Sequence, residues 1–175
     1  MQPLARLRDL ILFRAGPQDL PYAPRTVIVL LVIGAVLEIL VDLRQGSPIG
    51  TMAGANIGTL AGLAALLALL RWRGKPERFV QTALALVATG LLFELVLLPL
   101  MFVIGLPLMP NAQLNPRQSL ALFAVFVLAL WQVAISVNIL RHALEIPLAG
   151  GVLALLAIGF SDLMAAVLVA AALGG

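Results

Sequence analysis

Five runs of apolar residues divide this 175-residue chain, and each is long enough to cross a lipid bilayer. About 30 Å of hydrocarbon takes roughly 20 helical residues to cross. The five runs cover residues 26–43, 50–70, 79–105, 119–140 and 147–173. The sequence therefore predicts an all-α fold: a polytopic membrane protein in which residues 25–175 form a bundle of five transmembrane helices, preceded by a short N-terminal interfacial helix.

The composition supports this fold class and excludes several others. Hydrophobic residues make up 62% of the chain and charged residues only 11%, whereas about a quarter of a soluble domain is charged. A soluble enzyme, a disordered tail and a disulfide-rich secreted domain are thereby excluded. With no Cys and one His, thiolate catalysis, iron–sulfur ligation and structural zinc are excluded too. We expect no enzymatic activity, no metal and no cofactor.

The basic residues predict the orientation in the membrane. They lie at the ends of the apolar runs and form no groove-sized patch, so we expect no binding of nucleic acid. Nine of them fall on one predicted side and two on the other. The nine are Arg6, Arg8, Arg14, Arg25, Arg71, Arg73, Lys75, Arg78 and Arg141, and the two are Arg44 and Arg117. Because basic loops stay in the cytoplasm, we predict a multi-pass protein of the bacterial inner membrane with a cytoplasmic N-terminus and an external C-terminus.

Residues 1–24 are predicted to form a cytoplasmic interfacial helix followed by a proline-rich linker. Apolar residues within 3–13 share one helical face that could lie on the inner leaflet. They are Leu4, Leu7, Leu10 and Ile11. Three prolines in residues 16–24 favour extended backbone. The linker is either a rigid connection or a docking strip for a partner, with Tyr22 as an interfacial anchor.

The second apolar run contains four glycines at an unbroken spacing of four, which places them on one face of a helix. They are Gly50, Gly54, Gly58 and Gly62. Small residues let helix backbones approach closely in lipid, where dispersion contact replaces the hydrophobic drive. The last run has a weaker pattern of this kind in Ala157, Ser161 and Ala165. The glycine face predicts close helix packing, either within the chain or against another subunit or a second copy.

Polar residues occur near the middle of all five predicted spans. They are Glu38, Asn56, Glu94, Gln132 and Asp162, and their distances from the span midpoints predict a single polar layer. A charge at that depth costs roughly 2.5–3.5 kcal/mol, so the carboxyls should face the bundle or a partner. No Lys or Arg lies in the middle of a span. The acids could be protonated and hydrogen-bonded, could bind a proton or cation in transit, or could pair with a basic residue of another subunit.

A compact basic and aromatic segment lies between the second and third spans. Its residues are Arg71, Trp72, Arg73, Lys75 and Arg78. Lys and Arg at the cytoplasmic surface attract anionic lipids, and Trp favours the headgroup region. We predict that this segment contacts lipid at the inner leaflet.

The sequence resembles bacterial members of the Yip (Ypt-interacting protein) membrane family over roughly residues 25–173. The similarity is most evident from Trp131-Gln132-Val133-Ala134-Ile135 through Leu144-Glu145-Ile146-Pro147 into the Gly/Ala-rich final span. The resemblance implies five spans behind a cytoplasmic N-terminus, and eukaryotic members of that family act in membrane traffic. It implies no functional residue in this chain.

Two functional hypotheses follow. In the first, the protein is a non-catalytic accessory or scaffold subunit of the inner membrane, which binds another membrane protein, or itself, through helix–helix packing. In the second, it is a small transporter or channel that uses its intramembrane carboxylates for protons or cations. A lipid-handling protein is a third class.

Overall fold

The structure is a computed structural model that describes residues 3–105 and 114–174. Within these ranges the chain forms six α-helices: α1 (Pro3–Ile11), α2 (Pro24–Gln45), α3 (Ile49–Trp72), α4 (Phe79–Ile104), α5 (Pro116–Leu144) and α6 (Leu148–Ala172). Helices α2 to α6 are long and apolar enough to span a membrane. The predicted all-α fold is confirmed, and the chain is a multi-pass membrane protein.

Polar and glycine caps fix several of the helix ends. Helix α5 begins with a reciprocal cap in which the Asn115 carboxamide accepts from the Gln118 backbone N–H and the Gln118 side chain accepts from Asn115 N–H. Gly46 and Gly105 end α2 and α4 with positive φ angles of 69° and 74°, where a residue without Cβ is unstrained. Helices α2, α3 and α5 extend beyond the predicted apolar runs, whereas the ends of α4 and α6 lie within one residue of the predicted ones.

The helices alternate in direction, so the N-terminal segment, the α3–α4 connection and the α5–α6 connection lie at one end of the bundle. We call this the basic end, because nine of the 11 basic residues lie there. The hydrophobic core is concentrated near it. Its largest members come from α3 and α5: Leu66, Leu70, Ile139, Leu140 and Leu144.

The spanning helices pack unequally. Helix α3 has its most extensive contact with α6, and α5 packs against both α4 and α6. Helix α2 contacts mainly α4, and Val27 is its one fully buried residue. Four helices therefore form a close-packed unit, and α2 lies along one side of it.

Helix α1 packs on the basic end of the bundle. Leu10, predicted to face the inner leaflet, is 1% exposed and belongs to the hydrophobic core, against which Ile11 also packs. The Arg6 guanidinium donates to the carbonyl of Asp19, and Gln81 Nε2 of α4 donates to Leu20 O at 2.7 Å. The part of the apolar face of α1 that contains Leu10 and Ile11 is thus covered by protein and not by lipid, because the linker folds α1 back onto α4.

Candidate functional site

The glycine face of α3 is filled by α6 of the same chain. All four glycines of the face are buried. A Cβ at Gly54 would overlap the backbone carbonyl oxygen of Ala166, and one at Gly62 would be 3.4 Å from Ile158 Cγ2. Such an approach requires the absence of a side chain. Of the two alternatives that the sequence left open for this face, the structure realises packing within the chain.

The same face makes room for an acidic side chain. A Cβ at Gly58 would overlap the carboxylate of Asp162 and would lie 2.8 Å from its backbone oxygen. At Gly62 it would lie 3.6 Å from Asp162 Cβ. Asp162 therefore packs against both Gly58 and Gly62 in the α3–α6 contact. The position of its carboxyl group depends on the absence of a side chain at these two residues.

The α6 residues that meet the glycines are Ile158, Asp162 and Ala166. The weaker small-residue pattern in this helix, Ala157, Ser161 and Ala165, precedes them by one position each. Ser161 instead donates its hydroxyl to the carbonyl of Ala157 at 2.9 Å within α6. A shift of one residue turns a helix by about 100°, so the packed face of α6 carries an acid that small-residue spacing does not identify.

A cavity of about 760 Å³ lies among the five spanning helices. We call it the central cavity. All five members of the predicted polar layer line it, one from each helix: Glu38, Asn56, Glu94, Gln132 and Asp162. Thr59 and Ser136 add hydroxyls, and the remaining lining is mainly aliphatic. The structure thus brings the predicted layer together around one space.

The three carboxyls of the central cavity have no partner within the described residues. No backbone or side-chain donor there hydrogen-bonds to Glu38, Glu94 or Asp162, and no basic side chain pairs with them. Asn56 donates to the carbonyl of Met52 in its own helix instead, at 3.0 Å. The carboxyl oxygens therefore remain available to a ligand in the cavity.

The carboxyls line the cavity at separate points. Among residues 3–105 and 114–174, no three His, Asp or Glu side chains are close enough together to hold one metal ion. The acids are carried by α2, α4 and α6, which places them on different walls. A small cation could contact them in succession.

The cavity opens laterally between α2 and α3. Its most exposed lining residues are Ile28 and Val32 of α2, with Thr59 and Leu60 of α3. These two helices share only a limited contact. The cavity is therefore least covered by protein between α2 and α3.

At the basic end, three residues of the predicted lipid-contact segment have partners in the protein. Arg73 donates from Nε to Leu144 O at 3.3 Å, and Arg78 donates from Nη1 to Ala143 O at 3.2 Å. Both acceptors are carbonyls at the C-terminus of α5, which lack intrahelical partners. Arg71 and Trp72 are exposed, Trp72 by 82%, and they keep the geometry expected for lipid contact.

The third of these residues, Lys75, pairs with Glu145, the C-cap of α5. The Lys75 ammonium contacts one carboxylate oxygen of Glu145, and Arg78 Nη2 lies 2.7 Å from the other. Hydrogen bonds from Lys75 and then Arg78 hold the pKa of Glu145 below its ordinary value of 4.5. Glu145 keeps a left-handed backbone conformation, with φ of 52°. We call the set of Arg73, Lys75, Arg78 and Glu145 the C-terminal clamp of α5.

The clamp should make stability depend on pH in acid. Because the pKa of Glu145 is lowered in the folded state, its contribution is complete above the unfolded-state pKa, about 4.3, and disappears as the pH falls through the folded-state value. We expect Glu145→Gln to unfold at a lower temperature than the wild type near pH 7. The difference in unfolding temperature between the wild type and Glu145→Gln should become smaller as the pH approaches about 3.

Thermal unfolding in detergent across this pH range measures the effect. Glu77→Gln is the matched control, because Glu77 lies in the same connection but forms no ion pair within the described residues. A constant difference between wild type and Glu145→Gln from neutral to acid pH would contradict the clamp.

The fold and the cavity define a class of protein: an α-helical multi-pass membrane protein with a polar cavity among its spans. Comparisons with protein-family models, curated proteins and solved structures give no match to this chain. Its functional interpretation therefore rests on its own residues, and the resemblance to the Yip family stays a prediction.

Proposed function

We propose that the protein is a small, non-enzymatic membrane transporter or channel that binds a proton or a cation in its central cavity. The observation that carries the proposal is the arrangement of Glu38, Glu94 and Asp162. They lie on three different helices, line one cavity and have no partner among the described residues. Carboxyls within membrane spans are costly to insert and typically belong to ion or proton pathways.

Two features of the cavity support this function. The carboxyls belong to three different helices, and no three acids among the described residues converge on one metal ion, so a cation can pass from one carboxyl to the next. The amide and hydroxyl groups of Asn56, Gln132 and Ser136 supply neutral oxygen ligands between them. Binding that is shared among several weak sites is what permits release as well as entry.

In this proposal the basic end faces the cytoplasm of the bacterial inner membrane, and the C-terminus lies outside. The support is the charge asymmetry of nine basic residues against two, read by the positive-inside rule. The packing of α1 on the basic end keeps the charges of the N-terminal segment on that side of the bundle.

Flux into proteoliposomes tests the proposal. Purified protein is reconstituted with a pH-sensitive dye inside the vesicles, and a potassium gradient with valinomycin imposes the driving potential; parallel vesicles with sodium and potassium indicators cover those cations. We expect Glu94→Gln and Asp162→Asn each to lower the flux about tenfold or more, because losing one contact to a charged group costs roughly 1.5–3 kcal/mol.

The matched control is Asp42→Asn. Asp42 lies near the end of α2, does not line the cavity and accepts a hydrogen bond from Ser47 Oγ at 3.1 Å. Its variant should keep the wild-type flux. Flux that is indifferent to both Glu94→Gln and Asp162→Asn, or absent from the wild type for all three ions, would remove the proposal.

An accessory subunit is the second candidate, and α2 is the observation that favours it. Helix α2 contacts mainly α4, and its Glu38 lines the central cavity without a partner among the described residues. A helix of another subunit with one Lys or Arg could cover α2 and neutralise an acid in the cavity. A stoichiometric partner retained in mild detergent, together with absence of flux, would favour this candidate over transport.

A further inference from the structure

A second, smaller cavity lies at the basic end, apart from the central cavity. Its volume is about 350 Å³, and six residues line it: Gln18, Arg78, Arg141, His142, Glu145 and Ile146. They come from the linker after α1, the start of α4, the end of α5 and the connection to α6. Three chain segments, namely the linker, the start of α4 and residues 141–146, thus border one space, which we call the basic-end pocket.

The charges around this pocket leave a cationic excess. Glu145 is its one acid, and that carboxylate already pairs with Lys75 and Arg78 through both oxygens. Arg78 also donates to carbonyls of α5 and so belongs to the clamp. The positive charge of Arg141 is therefore not offset inside the pocket.

Arg141 is the residue with free donors. Within residues 3–105 and 114–174, its side chain forms no hydrogen bond and no ion pair, although its guanidinium carries five N–H donors. These donors match the oxygen atoms of a phosphate group in a bidentate arrangement. A cavity with an uncommitted Arg and no uncommitted acid is suited to an anion.

Neighbouring polar groups complete the pocket. His142 Nδ1 lies 2.8 Å from the carbonyl of Asn138, and because a carbonyl only accepts, Nδ1 carries the hydrogen. Nε2 of the neutral ring is then an acceptor, so the donors that face an anion are those of Arg141 and of the Gln18 carboxamide. Gln18 contributes a carboxamide from the opposite wall, and Ile146 contributes an apolar edge. An apolar edge beside polar groups is typical of a site that admits a headgroup with part of its glycerol.

The position of the pocket identifies where a phosphate would come from. Arg141 and His142 form the last turn of α5, and α6 begins at Leu148. The pocket is thus level with the ends of the membrane spans, where lipid phosphates lie. We propose that the basic-end pocket binds a phosphate group, carried either by an anionic lipid headgroup or by a soluble phosphate.

Thermal unfolding of the full chain in a neutral detergent tests this proposal in two arms. One arm adds inorganic phosphate against an equal ionic strength of chloride. The other adds phosphatidylglycerol against an equal amount of phosphatidylcholine. We expect at least one of them to raise the wild-type unfolding temperature by about 5 °C or more, as saturation of a specific site does.

Arg141→Gln should abolish the rise, whereas Arg25→Gln should retain it. Arg25 is an exposed basic residue at the same end that does not line the pocket, and its substitution removes the same charge. A rise with phosphatidylglycerol alone assigns the headgroup as the source, and a rise with both ligands or with phosphate alone assigns the phosphate group itself. No rise in either arm, or an equal loss in the two variants, would overturn the proposal.

Discussion

Gly54→Ala is expected to lower the unfolding temperature of the protein by about 5 °C, because overpacking a close contact costs roughly 1–3 kcal/mol. A Cβ at this position would overlap the carbonyl oxygen of Ala166. That oxygen belongs to the backbone of α6 and cannot turn aside as a flexible side chain can. The two helices must move apart along their most extensive contact, with loss of dispersion energy that lipid does not replace.

Gly90→Ala is the matched control for this effect. Gly90 lies within α4, and a Cβ there would meet no atom within 4 Å. Its substitution should leave the unfolding temperature unchanged or raise it, since Ala is favoured over Gly in a helix by about 1 kcal/mol. Thermal unfolding in detergent compares the two variants. Equal unfolding temperatures would show that the α3–α6 contact is looser than described.

The spacing of the glycines predicted the packed face of α3 but not its partner. Four glycines in register require close approach of some helix, and the sequence left open whether this helix belongs to the chain. The sequence did not identify the packed face of α6, where Ile158, Asp162 and Ala166 meet the glycines. The acid Asp162 fits into the packed interface only because Gly58 and Gly62 leave room for it. This fit depends on how α3 and α6 face each other, which the sequence of either helix alone does not show.

More of the polar layer than of the glycine contact could be predicted from the sequence. A mid-span carboxyl is so costly in lipid that its burial toward the bundle follows from its depth alone, and all five residues do line one cavity. The choice among their chemical partners could not be predicted. It depends on which donors the neighbouring helices present, and Asn56 turns to the carbonyl of Met52 instead of to an acid.

The C-terminal clamp of α5 was not predicted, although its signal is present in the sequence. Arg73, Lys75 and Arg78 fall on the same predicted side of the membrane as Glu145. Hydropathy assigns all four to that surface without saying that two connections meet there. The pairing depends on the antiparallel packing of α4 on α5, which brings the start of one helix to the end of the other.

Asp162 belongs both to the α3–α6 packing contact and to the lining of the central cavity. The glycine face of α3 fixes the backbone of α6, and the same glycines give the Asp162 carboxyl its position beside the central cavity. A substitution at Gly58 should therefore affect ion binding as well as stability. For this reason a test of the cavity needs a residue that lines it without belonging to the α3–α6 contact.

Gly90→Leu meets this requirement and should separate transport from a scaffolding role. Gly90 lines the central cavity, and a side chain added there enters open space. The variant should fold with wild-type stability, while its isobutyl group enters the central cavity about one helical turn from Glu94. We expect proteoliposome flux to fall at least about tenfold, which corresponds to a barrier raised by only about 1.4 kcal/mol.

Gly159→Leu on α6 is the control for added bulk. A Cβ at Gly159 also meets open space, but this residue does not line the cavity, so flux should stay at the wild-type level. If Gly90→Leu folds and conducts as well as Gly159→Leu, the ion does not cross the central cavity. If both lose flux equally, the effect comes from bulk on an exposed helix and not from the cavity. Only a selective loss at Gly90 fits a path that the carboxyls of α2, α4 and α6 define.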